Sequence, residues 1–207
     1  AQLVGGAVIR ALALFLLTAS PSFAFVEGFP AIYAVADVAG DDVLNVRAEA
    51  DTTSEILGSL APGERIEVIR ENEEQTWALV NINEGTGWAS LRYLRREPEQ
   101  LDGDFPDFTS CAGMEPFWDL DRANGSITFK SYSTDDPSIS EPVIWERRTW
   151  NHRHRYSFRT ESMLGVISRH YCDDGMSGFE YALELNFILL DQEIHLQGCC
   201  SIQPRAE

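Results

Sequence analysis

Leu44-Asn45-Val46-Arg47, Ile56-Leu57-Gly58, Pro62-Gly63, Ile66 with Val68 and Ile69, Trp77 with Leu79, and Gly87-Trp88-Ala89 form the stretch that decides the fold. Leu44 and Val46 alternate with polar Asn45 and Arg47, the period of a strand with one face buried. Leu60 ends the second run, and Pro62-Gly63 turns the chain into the third. The polar stretch Glu71 to Gln75 separates that run from Trp77, Leu79 and Ile82, and Glu84-Gly85 turns the chain once more. Five strands in about fifty residues spell a small all-β barrel, with a core near the lower limit for independent folding.

These residues, with the closing Tyr93-Leu94, resemble the bacterial SH3 domain over roughly residues 33 to 96. Each element has a physical rationale. Asn45 and Arg47 can tie down the long first loop, Gly63 permits a tight turn, and Trp88 fills the barrel end. The sequence departs from the family after Arg47, where Ala48-Glu49-Ala50 replaces the frequent Ser-Gly-Pro in a loop that helps form the ligand groove. The resemblance implies binding rather than catalysis, with Tyr33, Asn45, Arg47, Trp77, Trp88 and Tyr93 as the candidate ligand-binding residues. Its implied partner is cell-wall peptide or another envelope component, with no cofactor. Trp77 and Trp88 also fit the barrel core, since large aromatics in strand patterns are more often buried than functional.

Residues 98–110 are rich in acids, Pro and Gly and read as a linker between a domain at 25–97 and a second at 111–207. In the second, Phe117 to Asp121 and Ile127 to Tyr132 flank Asn124-Gly125, a strong hairpin signal. Shorter runs follow at Val143 to Trp145, Tyr156 to Phe158 and Leu164 to Ile167. Tyr181, Leu183, Leu185 and Phe187 alternate along one strand, Asp191-Gln192 turns, and Ile194, Leu196 and Gly198 alternate back. The expected fold class is therefore all-β: an SH3-like small barrel, then a second antiparallel barrel or sandwich braced by disulfides. Cys-x-Gly-x-Glu-Pro-Phe-Trp at 111–118, Cys-x-Asp-x-Met-Ser at 172–177 and Gly198-Cys199 resemble an uncharacterised family of proteobacterial envelope proteins. That resemblance implies location and fold, and no activity.

The four cysteines, Cys111, Cys172, Cys199 and Cys200, read as two disulfides in an exported chain. Three pairings exist. A vicinal Cys199-Cys200 bond strains the backbone, which favours the two that join Cys111 and Cys172 each to one of the adjacent pair. Neighbours on a strand face opposite ways and could serve different partners. A four-cysteine zinc site lacks the short Cys-x2-4-Cys arms such sites use.

Residues 11–19 are an apolar run after Arg10, with Ser22 and Ala24 ahead of a cut, the layout of a secretory signal peptide occupying 1–24. Nine residues fall short of the roughly 20 needed to span a bilayer. The chain starts without Met, so a fuller positive flank is expected upstream, and the mature protein is expected in the periplasm or secreted. A net charge of -17 argues against nucleic acid and anionic membrane surfaces, both of which demand a basic face. The local exception is Arg147, Arg148, Arg153, Arg155 and Arg159, which surrounding acids can pair.

A hydrolase in the second domain would have to recruit Glu115, Asp173, Asp174, His170 and His195, and a carboxylate pair must stand about 5 to 10 Å apart. Asp173-Asp174-Gly175 has the chemistry of a turn cap instead. His152 and His154 alternate onto one face and could bind a metal, though arginines flank them. The expectation is a non-catalytic exported binding protein. The alternatives are an inhibitor or interaction protein acting on a partner enzyme, with loops 113–117 or 173–179 as its probe, and a carboxylate-dependent hydrolase.

Overall fold

A computed structural model describes residues 28–83, 85–98, 100, 107–132, 138–149 and 155–203. The expected signal peptide and its cut, and the pair His152 and His154, lie outside the described residues. Among the described residues the chain is all-β apart from one 3-10 turn at Leu91–Tyr93, and no helix is long and apolar enough to cross a membrane.

The first domain has seven strands: β1 (Ala31–Val35), β2 (Leu44–Arg47), β3 (Ile56–Leu60), β4 (Arg65–Glu71), β5 (Trp77–Ile82), β6 (Gly85–Ser90) and β7 (Leu94–Arg96). They form one curled antiparallel sheet in the order β3-β2-β6-β5-β4-β1-β7. The five strands legible in the sequence are joined by β1 and β7, which pair with each other. The core holds Ala31, Tyr33 and Val35 of β1, Leu44 and Val46 of β2, Val68, Ala78, Val80, Ala89 and Leu94. Gly63 takes φ of +78° at its turn, a conformation that costs glycine little.

Among the described residues the second domain has nine strands: β8 (Ser110–Gly113), β9 (Trp118–Ala123), β10 (Ser126–Ser131), β11 (Ile139–Pro142), β12 (Trp145–Arg148), β13 (Arg155–Arg159), β14 (Met163–Asp173), β15 (Glu180–Leu189) and β16 (Ile194–Ser201). Their order is β11-β10-β9-β8-β16-β15-β14-β13-β12, all antiparallel. Two meanders are thus joined where the first strand, β8, pairs with the last, β16. Asn124 and Gly125, with φ of +51° and +74°, make the β9–β10 turn. The apolar run Val143 to Trp145 is a corner and not a strand of its own: β11 ends at Pro142 and β12 starts at Trp145. The sheet curls until its two edges meet. There the Glu141 carboxylate accepts from Thr160 Oγ1 at 2.5 Å, Ser162 N at 2.9 Å and Ser162 Oγ at 2.8 Å. Arg122 of β9 reaches Glu146 of β12 at 3.0 Å, and Tyr156 donates to the same carboxylate.

The core of this domain is aromatic, with Trp118, Phe129 and Phe187 in mutual contact and Phe108 between Tyr156 and Phe158. Phe108 is only 2% exposed in that core, and Thr109 donates to the Gln203 carbonyl at 2.7 Å, so the end of the expected linker belongs to the second domain. Gln100, in contrast, bonds both backbone groups of Ile32 and belongs with the first. The disulfides are Cys111–Cys200 and Cys172–Cys199. Cys200 faces the core and Cys199 the other side of β16, so neighbouring residues brace both faces of one strand.

β4 is buried at four consecutive positions, Ile66 to Ile69. Ile66 and Val68 face the barrel core, whereas Glu67 and Ile69 face outward, where the second domain covers them. Leu79 of β5 packs with Ile69 against Ala182 of β15, and Ile32 of β1 packs against the second core. The two domains therefore share a joint along the outer face of β1, β4 and β5.

Candidate functional site

The remaining outer face of the barrel carries a groove of about 460 Å³. Trp77 pairs with Ser90 across β5 and β6, and the register of Val46 with Ala89 sets Asn45 level with Ser90. Trp77, Ser90 and Asn45 thus form a row across three strands, all half-buried. Tyr93 and Arg92, from the 3-10 turn, and the loop 37–43 supply the walls. Arg47 lines the groove and donates to the Ser54 carbonyl at 2.6 Å, tying down the loop after β2. The Asp51 carboxylate holds that loop at Thr53 N and Oγ1, both at 2.6 Å; these bonds keep its pKa below the usual range.

The groove is charged on both sides. Asp37 and Asp42 line it with Arg47 and Arg92. Asp37 is paired with Arg95, and Arg92 lies over the Tyr93 ring at 5.6 Å from its centroid. An aromatic floor between an acid wall and a guanidinium can hold an extended ligand that carries both signs of charge.

Of the six candidate binding residues, Asn45, Arg47, Trp77 and Tyr93 come together in the groove. Tyr33 does not. Its ring is 8% exposed in the barrel core, stacked 6.4 Å from Phe29, because β1 turns its odd-numbered side chains inward. Trp88 does not fill the barrel end. It lies on the outer face under the Arg70 guanidinium, 4.9 Å from the ring centroid, and packs on the cluster of Ile69, Leu79 and Ala182. The walls Asp37 to Val43, Ser90 and Arg92 were not singled out by sequence reasoning. The acids at 37, 41 and 42 read as solvated surface, and only the fold of the loop over β2 makes some of them a wall.

The candidate acids of the second domain are scattered. β8 runs toward Glu115 in the direction of Ile194, and β14 runs toward Asp173 in the direction of Ser201, so the two leave the sheet at opposite ends. Asp173 accepts from Gly175 N at 2.7 Å, and Asp174 from Met176 N and Ser177 N at 2.9 and 2.8 Å, which are turn-capping bonds. Burial works against the charge of Asp174, but its bonds to Ser177 and Met176 outweigh this and lower its pKa. His170 is largely exposed, 3.5 Å from Glu184. Arg147 donates to the Glu146 carbonyl at 2.7 Å. Among the described residues no three His, Cys, Asp or Glu side chains converge as a metal site would require.

The first domain is thus a curled seven-stranded sheet with a groove on its outer face that Trp77 and Tyr93 line. Residues 42–95 match the family model for the bacterial SH3 domain. The match spans β2 to β7 and leaves out β1 and the whole second domain. The chain as a whole matches no curated protein. A bacterial SH3 domain fits a binding role at the cell wall or envelope, and the two disulfides are consistent with an exported protein.

Proposed function

We propose that this is a non-catalytic, exported binding protein whose SH3 groove takes a cell-wall peptide. The observation that carries this reading is the row Asn45, Ser90 and Trp77, closed by Tyr93 and flanked by Asp42 and Arg92. Cell-wall peptides present free amino and carboxyl groups along a short extended backbone, and the groove offers acids, guanidinium groups and aromatic faces at that scale. The joint leaves this groove uncovered, since the second domain packs on β1, β4 and β5. The second domain holds the barrel in place and presents its own surface to the envelope.

Retention of the two-domain protein on purified peptidoglycan sacculi tests the proposal. Retention that falls on replacing Trp77 or Tyr93 supports it. Absence of retention for the unaltered protein overturns it and moves the ligand to a partner protein of the envelope.

A further inference from the structure

Between the domains lies a cleft of about 440 Å³, walled by β4 and β5 on one side and by β8, β15 and the end of β16 on the other. Among the described residues Glu67 is the only charged side chain on its wall, and Tyr181 the only other titratable one besides the disulfide-bonded Cys111 and Cys199. Glu67 is 7% exposed. Its Oε2 accepts from the Ser201 hydroxyl, from Ile202 N at 3.1 Å and from Gln203 N at 3.3 Å, while its Oε1 has no hydrogen-bond partner. Gln203 answers along the same line, accepting from Glu67 N at 2.8 Å and donating to the Arg65 carbonyl at 3.4 Å. Residues 201–203 thus dock on β4 through the side chains of Glu67 and Gln203, and one carboxyl collects most of the contacts.

Among the described residues no cation forms an ion pair with that carboxyl. On its own strand, Arg65 is held by Glu97 through two contacts of 2.6 Å, and Arg70 lies 3.7 Å from Glu180. β5 brings no titratable side chain, and β1 brings only Tyr33, on the opposite face. β7 brings Arg95 and Arg96, of which Arg95 pairs with Asp37 and Arg96 donates to the Gly28 carbonyl at 3.0 Å. β15 contributes Glu180, Tyr181 and Glu184, whose acids add no compensating charge. The strand end at 201–203 has no ionisable side chain. A buried carboxylate with one oxygen unpartnered and no counter-ion is costly, whereas the neutral acid keeps Oε2 as an acceptor and avoids the charge.

We propose that the joint between the two domains is a pH-sensitive latch, closed while Glu67 is protonated and loosened when Glu67 ionises. Burial pushes the Glu67 carboxyl up to about 7, against the opposing pull of the bonds from Ser201, Gln203 and Ile202. With the joint open, the carboxyl is solvated and returns toward 4.5. The closed state therefore binds the proton more tightly. Its advantage is complete below the open-state value and is lost as pH rises through the closed-state value. Across that interval the opening equilibrium should rise on the order of 100-fold.

Hydrogen exchange of the two-domain protein, corrected for intrinsic rates, tests this between about pH 5 and about pH 8.5, a span that brackets the titration. Protection in 180–183 and 199–203 should fall at least about tenfold with rising pH, while Val80 and Leu185 in the two cores stay protected. In Glu67→Gln, which cannot ionise, protection of the same segments should be independent of pH. Unchanged interface protection in the unaltered protein, or a Glu67→Gln variant that loses protection in step with it, overturns the latch. Should Glu67→Gln not fold, small-angle scattering of the unaltered protein decides: the radius of gyration should grow across the same range, and a constant radius overturns the proposal.

Discussion

The side-chain amide of Asn81 donates to the Glu180 carbonyl at 2.9 Å and accepts the Glu180 N–H at 3.2 Å. One asparagine thus replaces a strand partner at the end of β15, across the joint between the domains. Its position follows from β5, whose Ala78 and Val80 face the barrel core while Leu79 and Asn81 face the second domain.

Replacing Asn81 with Ala leaves both Glu180 backbone groups without that partner. The expected cost is about 1–2 kcal/mol in overall stability, with faster exchange of the Glu180 amide. Urea unfolding and hydrogen exchange check this. An unchanged midpoint would mean that water replaces the asparagine.

Trp77 and Trp88 share the outer face of the barrel but should fail in different ways. Trp77→Ala removes the floor of the groove and should weaken retention on sacculi by about tenfold, with a modest loss of stability. Trp88→Ala opens the Ile69, Leu79 and Ala182 cluster and should cost roughly 2–4 kcal/mol while leaving the groove residues in place. Paired retention and unfolding measurements separate the two.

The two disulfides close loops of different length, with sequence separations of 89 for Cys111–Cys200 and 27 for Cys172–Cys199. Replacing either pair with Ala should destabilise the second domain by roughly 2–5 kcal/mol, and loop entropy makes the longer loop the costlier loss by about 1 kcal/mol. Thermal unfolding of the two double variants measures the order. Cys111 and Cys200 also lie in the aromatic core, which adds a cavity to their loss.

Glu141 contributes to the acid sensitivity of the second domain. Burial opposes its charge, but the bonds from Ser162 and Thr160 outweigh it and hold the carboxyl below its usual value. A lowered folded-state value contributes stability that is present above the unfolded value of about 4.5 and is lost as pH falls through the folded value. Stability should therefore drop on acidification below about pH 4.5. Glu141→Gln should be less stable than the unaltered protein at neutral pH, by about 1 kcal/mol, and should show a shallower acid dependence in unfolding melts.

The order of strands from Leu44 to Ala89, the turns at Gly63 and Asn124-Gly125, and the alternation of Leu183, Leu185 and Phe187 were all legible in the sequence, because period-2 patterning and turn chemistry are local properties. Four of the six candidate binding residues also meet in one groove: Asn45 and Arg47 lie on the polar phase of that same alternation, Trp77 lies on the outward phase of β5, and Tyr93 follows in the 3-10 turn. β4 marks where local reading ends. Four buried positions in a row break the alternation, although in the sequence Glu67 between Ile66 and Val68 reads as a solvent-facing position. Only the tertiary structure decided that the second domain covers the outer face of β4, that Glu67 is buried there against residues 201–203, and that Trp88 belongs to the joint and Tyr33 to the core. A strand's phase is set by its own residues, but what lies against each face depends on segments more than 100 residues away, as in the 136 that separate Glu67 from Gln203.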